Sequence, residues 1–341
     1  MKLSFIKKID QEIIHYADDV QVISSKFNRI NMKNQSGEKS IKLSLSFVKQ
    51  LLGKFRLTRR FLRLDKMCVI PTTTGYVVFW QGGVYHLNFD FFTLRHIMTM
   101  TGCRNPLHNA VANVDGSELF FGEYGRPHPE GKSIYRSLDG GISWEKVYQI
   151  SCDKIRHIHS CNWDPYERKI WVFTGDFEGQ SHVICADRDF REVEWIGNGS
   201  QHYRAINPLF ENDSIHWIMD SPLKEVHHVR LDRQTRQIEI KQTFPGPVWY
   251  SKKLNDGYYL AATAQEVGPS HQDECLHFMV SKDLEQWEDI AQFKSDHMPK
   301  GLFKFGVIGF ADGKQNRDNF YLFFEAVKGY DGKSCLCQLE D

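Results

Sequence analysis

Strand-like runs that could each open a repeating unit begin near His108, Ile155, Tyr203, Val248 and Phe303, at spacings of 47, 48, 45 and 55 residues. Each interval holds three or four β-branched and aromatic segments divided by Gly, Asp, Asn or Pro, as in RKIWVFTGD (168–176) and DNFYLFFEAV (318–327). Several of these segments are apolar on both faces, which suits strands sandwiched between neighbouring sheets. A period of about 40–50 residues with four strands per unit is the signature of a propeller blade. The expected fold is therefore all-β, one β-propeller domain spanning residues 1–341. The count of runs favours seven four-stranded blades, with an N-terminal strand closing the last sheet beside KSCLCQLE (333–340). Six blades follow instead if residues 10–45 only decorate the ring.

Composition agrees with a large core and excludes several classes. Apolar residues make up 41% and aromatics 13%, far from a disordered chain. Lys plus Arg equals Asp plus Glu at 43 each, which argues against a nucleic-acid partner. No apolar run reaches the length of a spanning helix. The first residues lack the apolar core of a secretory signal, and the eight scattered cysteines read as reduced thiols, so a cytoplasmic location is expected.

One segment breaks the strand pattern. In SFVKQLLGKFRLTRRFLRLDK (46–66), Phe47, Val48, Leu51, Leu52, Phe55 and Leu62 follow helical spacing, with Ser46 as N-cap. Seven cations, Lys49, Lys54, Arg56, Arg59, Arg60, Arg63 and Lys66, accompany them. The spacing predicts one inserted basic amphipathic helix. Its apolar side would pack on the propeller, and its basic side would be either solvated or set on an anionic membrane surface.

Two turns carry a more specific signal. Ser137-Leu-Asp139-Gly140-Gly-Ile-Ser-Trp144 fits S-x-D-x-G-x-x-W, and Ser281-Lys-Asp283-Leu-Glu-Gln-Trp287 is a shortened relative. In such a hairpin Asp caps backbone N–H groups, Gly takes positive φ and Trp buries its face between sheets. With these turns the chain resembles the Asp-box (BNR-repeat) β-propellers, which include the sialidases. The resemblance places the boxes on the blade periphery, away from the site. FGEYG, IRHIH…DP…IWV-TGD and GPV-YS are closer to uncharacterised bacterial members often labelled glycosyl hydrolase. The arginine of the sialidase Phe/Tyr-Arg-Ile-Pro motif is missing from Cys68-Val-Ile-Pro71, so ordinary sialidase chemistry is not implied.

In a propeller, polar residues interrupting the innermost strands face the central channel and its binding end. They include Arg156, His157 and His159, then His108, His202 and Arg204, Tyr250 and Lys304; Glu123, Tyr124, Asp176 and Asp220 end the following strands. His157 and His159 share one face of a strand. They are candidates for acid/base work, for packing, or for a divalent metal completed by His108, His202 or Asp176. Catalytic roles are assigned to His157, His159, Glu123, Asp176, Asp220 and Tyr250. Substrate contacts are assigned to Arg204, Arg156, His108, His202, Tyr124 and Lys304. Arg204 demands a carboxylate partner, since an unpaired guanidinium on an inner strand is costly. Carboxylates, imidazoles, guanidiniums and a phenol together suit an acidic glycan, as substrate of a glycoside hydrolase or uronate lyase. The alternative is a glycan- or protein-binding propeller in envelope polysaccharide assembly, peripheral to a membrane.

Overall fold

The computed structural model describes residues 1–91 and 93–341. Among the described residues the strands form seven four-stranded antiparallel sheets. Blades 1 to 6 span residues 13–42, 67–99, 111–150, 157–196, 209–244 and 248–294. Blade 7 takes three strands from residues 307–340 and its outermost strand from Lys2–Ile9, which pairs with Lys333–Glu340. The seven-bladed expectation and its N-terminal closure both hold.

First strands of neighbouring blades pack on one another and form the inner wall. Because first and second strands are antiparallel, the start of one meets the end of the other, as His157 meets Gly175 and Val307 meets Glu325. Both kinds of terminus therefore lie at one end of the ring, and the site is built there. Between blades the packing is apolar and aromatic: Phe79 of blade 2 meets Phe121 of blade 3 edge-on, and Phe173 of blade 4 meets Trp217 of blade 5.

The two Asp turns behave as local chemistry requires. Asp139 Oδ1 accepts the Ser143 N–H at 2.9 Å, Gly140 and Gly141 have φ of 70° and 92°, and Trp144 packs on Phe121. In the second turn Leu284 occupies the left-handed position at φ 62°, and Trp287 packs on Phe244. Both turns join third to fourth strands, at the end of the ring opposite the site.

Residues 46–66 depart from expectation. They form two short helices, α1 (Phe47–Leu52) and α2 (Arg56–Leu62), instead of one. Ser46 caps α1, but Gly53 ends it, its Cα lying against the Phe27 ring where a Cβ would sit 1.9 Å from Cζ. The faces are also inverted. Phe47 is 80% and Phe55 65% exposed, whereas Arg59 is buried with its guanidinium on Gln11 Oε1 at 2.9 Å. Arg56 pairs with Asp331 at 2.7 Å and with Asp65, and Arg60 pairs with Asp296. Asp296 and Asp331 come from distant loops and Asp65 from just past α2; they draw Arg56 and Arg60 inward, and the apolar side is left in solvent. No helix among the described residues is long and apolar enough to cross a membrane.

Asp164 forms the Asp-Pro turn by accepting the Tyr166 N–H at 3.0 Å, and it also makes a buried two-point ion pair with Arg233 of blade 5. Replacing Arg233 by Met would leave that carboxylate buried without compensation, with an expected loss of about 3–5 kcal/mol. Urea unfolding of Arg233→Met beside the parent chain measures this directly.

Candidate functional site at one end of the ring

His157 and His159 open the inner strand of blade 4, and the pairing register slips between Ile158 and Ser160. His159 is thus the extra residue of a β-bulge, a device that re-aims a side chain. The same slip falls at His15 in blade 1 and at Trp249 in blade 6. The two imidazoles of blade 4 lie 5.0 Å apart, centroid to centroid, and point to one atom. Nε2 of His157 is 3.2 Å and Nε2 of His159 3.0 Å from Asp176 Oδ1. Each Nδ1 faces a backbone carbonyl, Gly125 O at 3.1 Å and Ala205 O at 2.9 Å. Gly175 precedes Asp176 because nothing larger fits: a Cβ there would lie 2.5 Å from His159 Cε1.

Two arginines complete this centre. Arg156 Nη1 donates to Asp176 Oδ2 at 2.9 Å. Arg204 reaches the Asp176 carbonyl at 3.0 Å and its Oδ1 at 3.3 Å, while its Nε lies 3.5 Å from Asp220 Oδ2. The carboxylate partners demanded for Arg204 are therefore present. Burial works against charge on Asp176, and its contacts with His157 and His159 outweigh that, holding its carboxyl well below the usual range. Asp220, only 3% exposed, is driven the other way by burial, with the charges of Glu266 and Asp176 adding to the rise. Glu266 is raised by burial as well, and its Oε1 accepts from the Trp249 indole. Asp220 Oδ1 and Arg204 Nε are buried with no hydrogen-bond partner among the described residues.

Tyr124 lies 4.3 Å from His157, centroid to centroid with the rings tilted by 40°, and joins this cluster to a cavity of about 530 Å³. Tyr124, Trp249, Tyr250 and Phe323 supply aromatic walls; Arg63, Lys66, Arg104, Arg126 and Lys304 supply cations; Glu325 is the one carboxylate of the lining. Lys66 pairs with Glu325. Burial, with Lys66 adding repulsion, lowers Lys304 to about 7. Burial pushes His108 down to about 4, and its Nε2 has no partner among the described residues. Tyr250 is raised by burial, which keeps it a phenol and argues against a base role.

The structure gathers ten of the twelve sequence candidates into the cluster or the cavity wall and removes two. Glu123 is buried within blade 3, where its Oε2 accepts the Ser133 N–H at 2.9 Å. Neighbours alternate along a strand, so if Tyr124 faces the channel Glu123 must turn away. His202 sits in a 3₁₀ turn, its ring 6.4 Å from that of His227, and only its carbonyl serves the fold, accepting from Trp217. Of the three proposed additional metal donors only Asp176 joins the histidines; His108 and His202 do not. Glu266, Trp249, Lys66 and Gln201, whose amide donates to the Asp176 carbonyl, were not singled out from sequence as site residues. Glu266 had a signal: it lies just past the second strand of blade 6, as Asp176 and Asp220 do in blades 4 and 5.

No protein-family model matches the sequence, and no curated protein does. Solved structures do match, all remotely. YCF48 from Cyanidioschyzon merolae aligns with a TM-score of 0.58 at 9% identity, over 99% of both chains. YCF48 bound to D1 peptide aligns at 0.57 and 10% identity, over 99% of this chain and 95% of that one. U3-55K aligns at 0.57 and 10% identity, over 99% and 98%. At such identities the likeness is one of fold, and the chain is a seven-bladed β-propeller.

The fit of His159 against Gly175 can be tested without touching a polar group. Gly175→Ala should displace the His159 ring, seen as a changed imidazole resonance, at a cost of about 1–3 kcal/mol in stability. An unmoved resonance with full stability would show that the ring is not held there.

Proposed function

We propose that this propeller is a carbohydrate-active hydrolase that takes an acidic glycan, a uronate- or sialate-type oligosaccharide, into the channel-end cavity. The observation that carries the reading is the lining: five cations against one carboxylate, interleaved with four aromatic rings. Aromatic faces suit the apolar faces of sugar rings, and guanidinium and ammonium groups suit carboxylates. Beside this cavity stand carboxyl groups whose environments separate their protonation, the arrangement that acid/base hydrolysis needs. In this reading Asp220 keeps a proton for the leaving oxygen. Asp176, with His157 and His159, holds the attacking water, and Arg156 and Arg204 fix the Asp176 carboxylate in place.

Incubation with uronate- and sialate-containing oligosaccharides, followed by mass spectrometry, separates the alternatives. Hydrolysis adds one water across the products, whereas a lyase gives an unsaturated product absorbing in the near ultraviolet. Binding without product would instead favour a glycan-binding propeller. Asp220→Asn should lower kcat by about 10²–10⁴-fold with little change in KM. Arg104→Ala should act on binding, raising Kd by about one to two decades, as expected for a charge-assisted contact.

Lys304 gives the reading a pH signature. With its ammonium at about 7, facing Lys66, Glu325, Arg63 and Arg104, the cavity loses one positive charge as pH rises through neutrality. Affinity for an acidic oligosaccharide should fall across that range, and Lys304→Met should flatten the profile. A pH-independent Kd in the parent chain would remove Lys304 from the ligand site.

A second reading concerns where the cavity faces. Phe47, Val48, Leu51 and Phe55 are exposed on α1 and its exit beside the exposed Lys49 and Lys54. Arg63, at the C-terminus of α2, lines the cavity. This combination suits contact with an anionic membrane, with the apolar residues as anchor, and flotation with anionic vesicles tests it. Association lost in Phe47→Glu supports it, and absence of association discards it.

A further inference from the structure

We infer that His157, His159 and Asp176 form a binding site for one divalent transition-metal ion. The inference deepens the hydrolytic reading of this cluster, and rests on it for what the ion does, though not for whether it binds.

The argument is one of protons. Gly125 O and Ala205 O are acceptors only, so the contacts at 3.1 and 2.9 Å place the hydrogen of each imidazole on Nδ1. A neutral imidazole carries one N–H, so each Nε2 then presents a lone pair. Both lone pairs are aimed at one carboxylate oxygen, at 3.2 and 3.0 Å. Three lone pairs converging at hydrogen-bond distance with no proton among them repel. The arrangement needs positive charge at their meeting point.

Protonating both rings would supply it, but at a high electrostatic cost. Two imidazoliums would lie 5.0 Å apart, both buried, beside the guanidiniums of Arg156 and Arg204, with Asp176 the one carboxylate common to all four. A single cation bound by all three donors meets the same need without doubling the like charges. The geometry suits it. Metal–ligand bonds of about 2.1 Å put neighbouring donor atoms about 3.0–3.4 Å apart, across octahedral and tetrahedral edges. The two Nε2–Oδ1 separations fall at the short end of this range, and all three donor atoms lie within 4.8 Å of one another. An Nδ1–H given to a backbone carbonyl is also the usual way a ligating histidine is oriented.

Two imidazoles and one carboxylate suit zinc, iron, manganese or nickel far better than calcium or magnesium. Arg156 occupies Oδ2, which leaves Oδ1 as the donor. Three protein ligands leave at least one position for water, and a bound divalent ion makes that water acidic enough to act near neutral pH. In the proposed hydrolase this is the attacking water.

The test uses the full chain, stripped with a chelator, dialysed and titrated with zinc by calorimetry, with cobalt absorption as a second probe. One equivalent should bind, and His159→Ala and Asp176→Asn should each weaken it by more than about 10-fold, a change of the size already seen when only a supporting group is lost. A folded parent chain that binds no stoichiometric zinc at micromolar concentrations overturns the site. So does equal binding by both folded variants. Because either variant could fail to fold, nitrogen-15 spectra of the parent histidines give an independent readout. Loss of any Nε2–H signal from both rings on adding zinc supports the site; two rings that keep both N–H groups overturn it. The two proposals fail separately. Stoichiometric zinc with no product from any acidic glycan ends the hydrolase reading and leaves the site standing. Glycan hydrolysis unchanged by chelation, in a chain that takes up no zinc, ends the site and leaves the hydrolase.

Discussion

Antiparallel pairing of Lys2–Ile9 with Lys333–Glu340 closes the ring, and the convergence of side chains at the channel end depends on that closure. Blade 7 has only three strands of its own, and an open edge there would leave unpaired backbone groups and a gap between blades 7 and 1. The chain ends meet in one sheet instead. Ser334, on the strand that receives the N-terminal one, then accepts the Ile14 N–H at 3.1 Å and donates to the Glu12 carbonyl at 2.8 Å, tying blade 7 to blade 1. Once closed, every first strand starts at the same end, and residues from positions 13 to 325 surround one cavity.

Within that frame the channel end is organised by Asp176. One carboxylate and its own backbone carbonyl receive His157, His159, Arg156, Arg204 and Gln201. The members of this group come from blade 4 and the link into blade 5, and they arrive through different devices: a bulge for His159, the end of a second strand for Asp176, and the link into blade 5 for Arg204. Neighbouring carboxyls feel the result. Burial raises Asp220 and Glu266 even against the pull of the Arg204 charge, whereas at Asp176 burial is outweighed. The separation of roles among chemically alike groups therefore comes from placement.

The cap over this end shows the same competition decided differently. In residues 46–66 the helical spacing of apolar residues is real, yet burial went to the arginines, because Asp65, Asp296 and Asp331 offered paired, hydrogen-bonded partners under the helices. A buried guanidinium is costly unless so matched, as Arg56 and Arg60 are, while Arg59 is held by the Gln11 amide oxygen. Periodicity reads which residues share a face; it does not read which face meets carboxylates brought from 275 residues away, as Asp331 is brought to Arg56.

Much was legible before any coordinates, and for a physical reason. The blade period, the strand closing the last sheet, the two Asp turns with their packed tryptophans, and the shared face of His157 and His159 are all local or repeated properties of the backbone. Sequence spacing carries such properties directly. What tertiary structure alone decided was partnership across blades: Asp176 as the common acceptor, Glu266 and Trp249 as members of the site, Glu123 turned inward and His202 left outside. A register slip of one residue at a bulge, or an ion pair with a distant loop, changes a side chain's surroundings without leaving a mark on its neighbours in sequence. The channel end of this propeller is assembled from such events, and the convergence of two imidazoles on one carboxylate oxygen comes from the pairing of the first two strands of blade 4 with a bulge at His159.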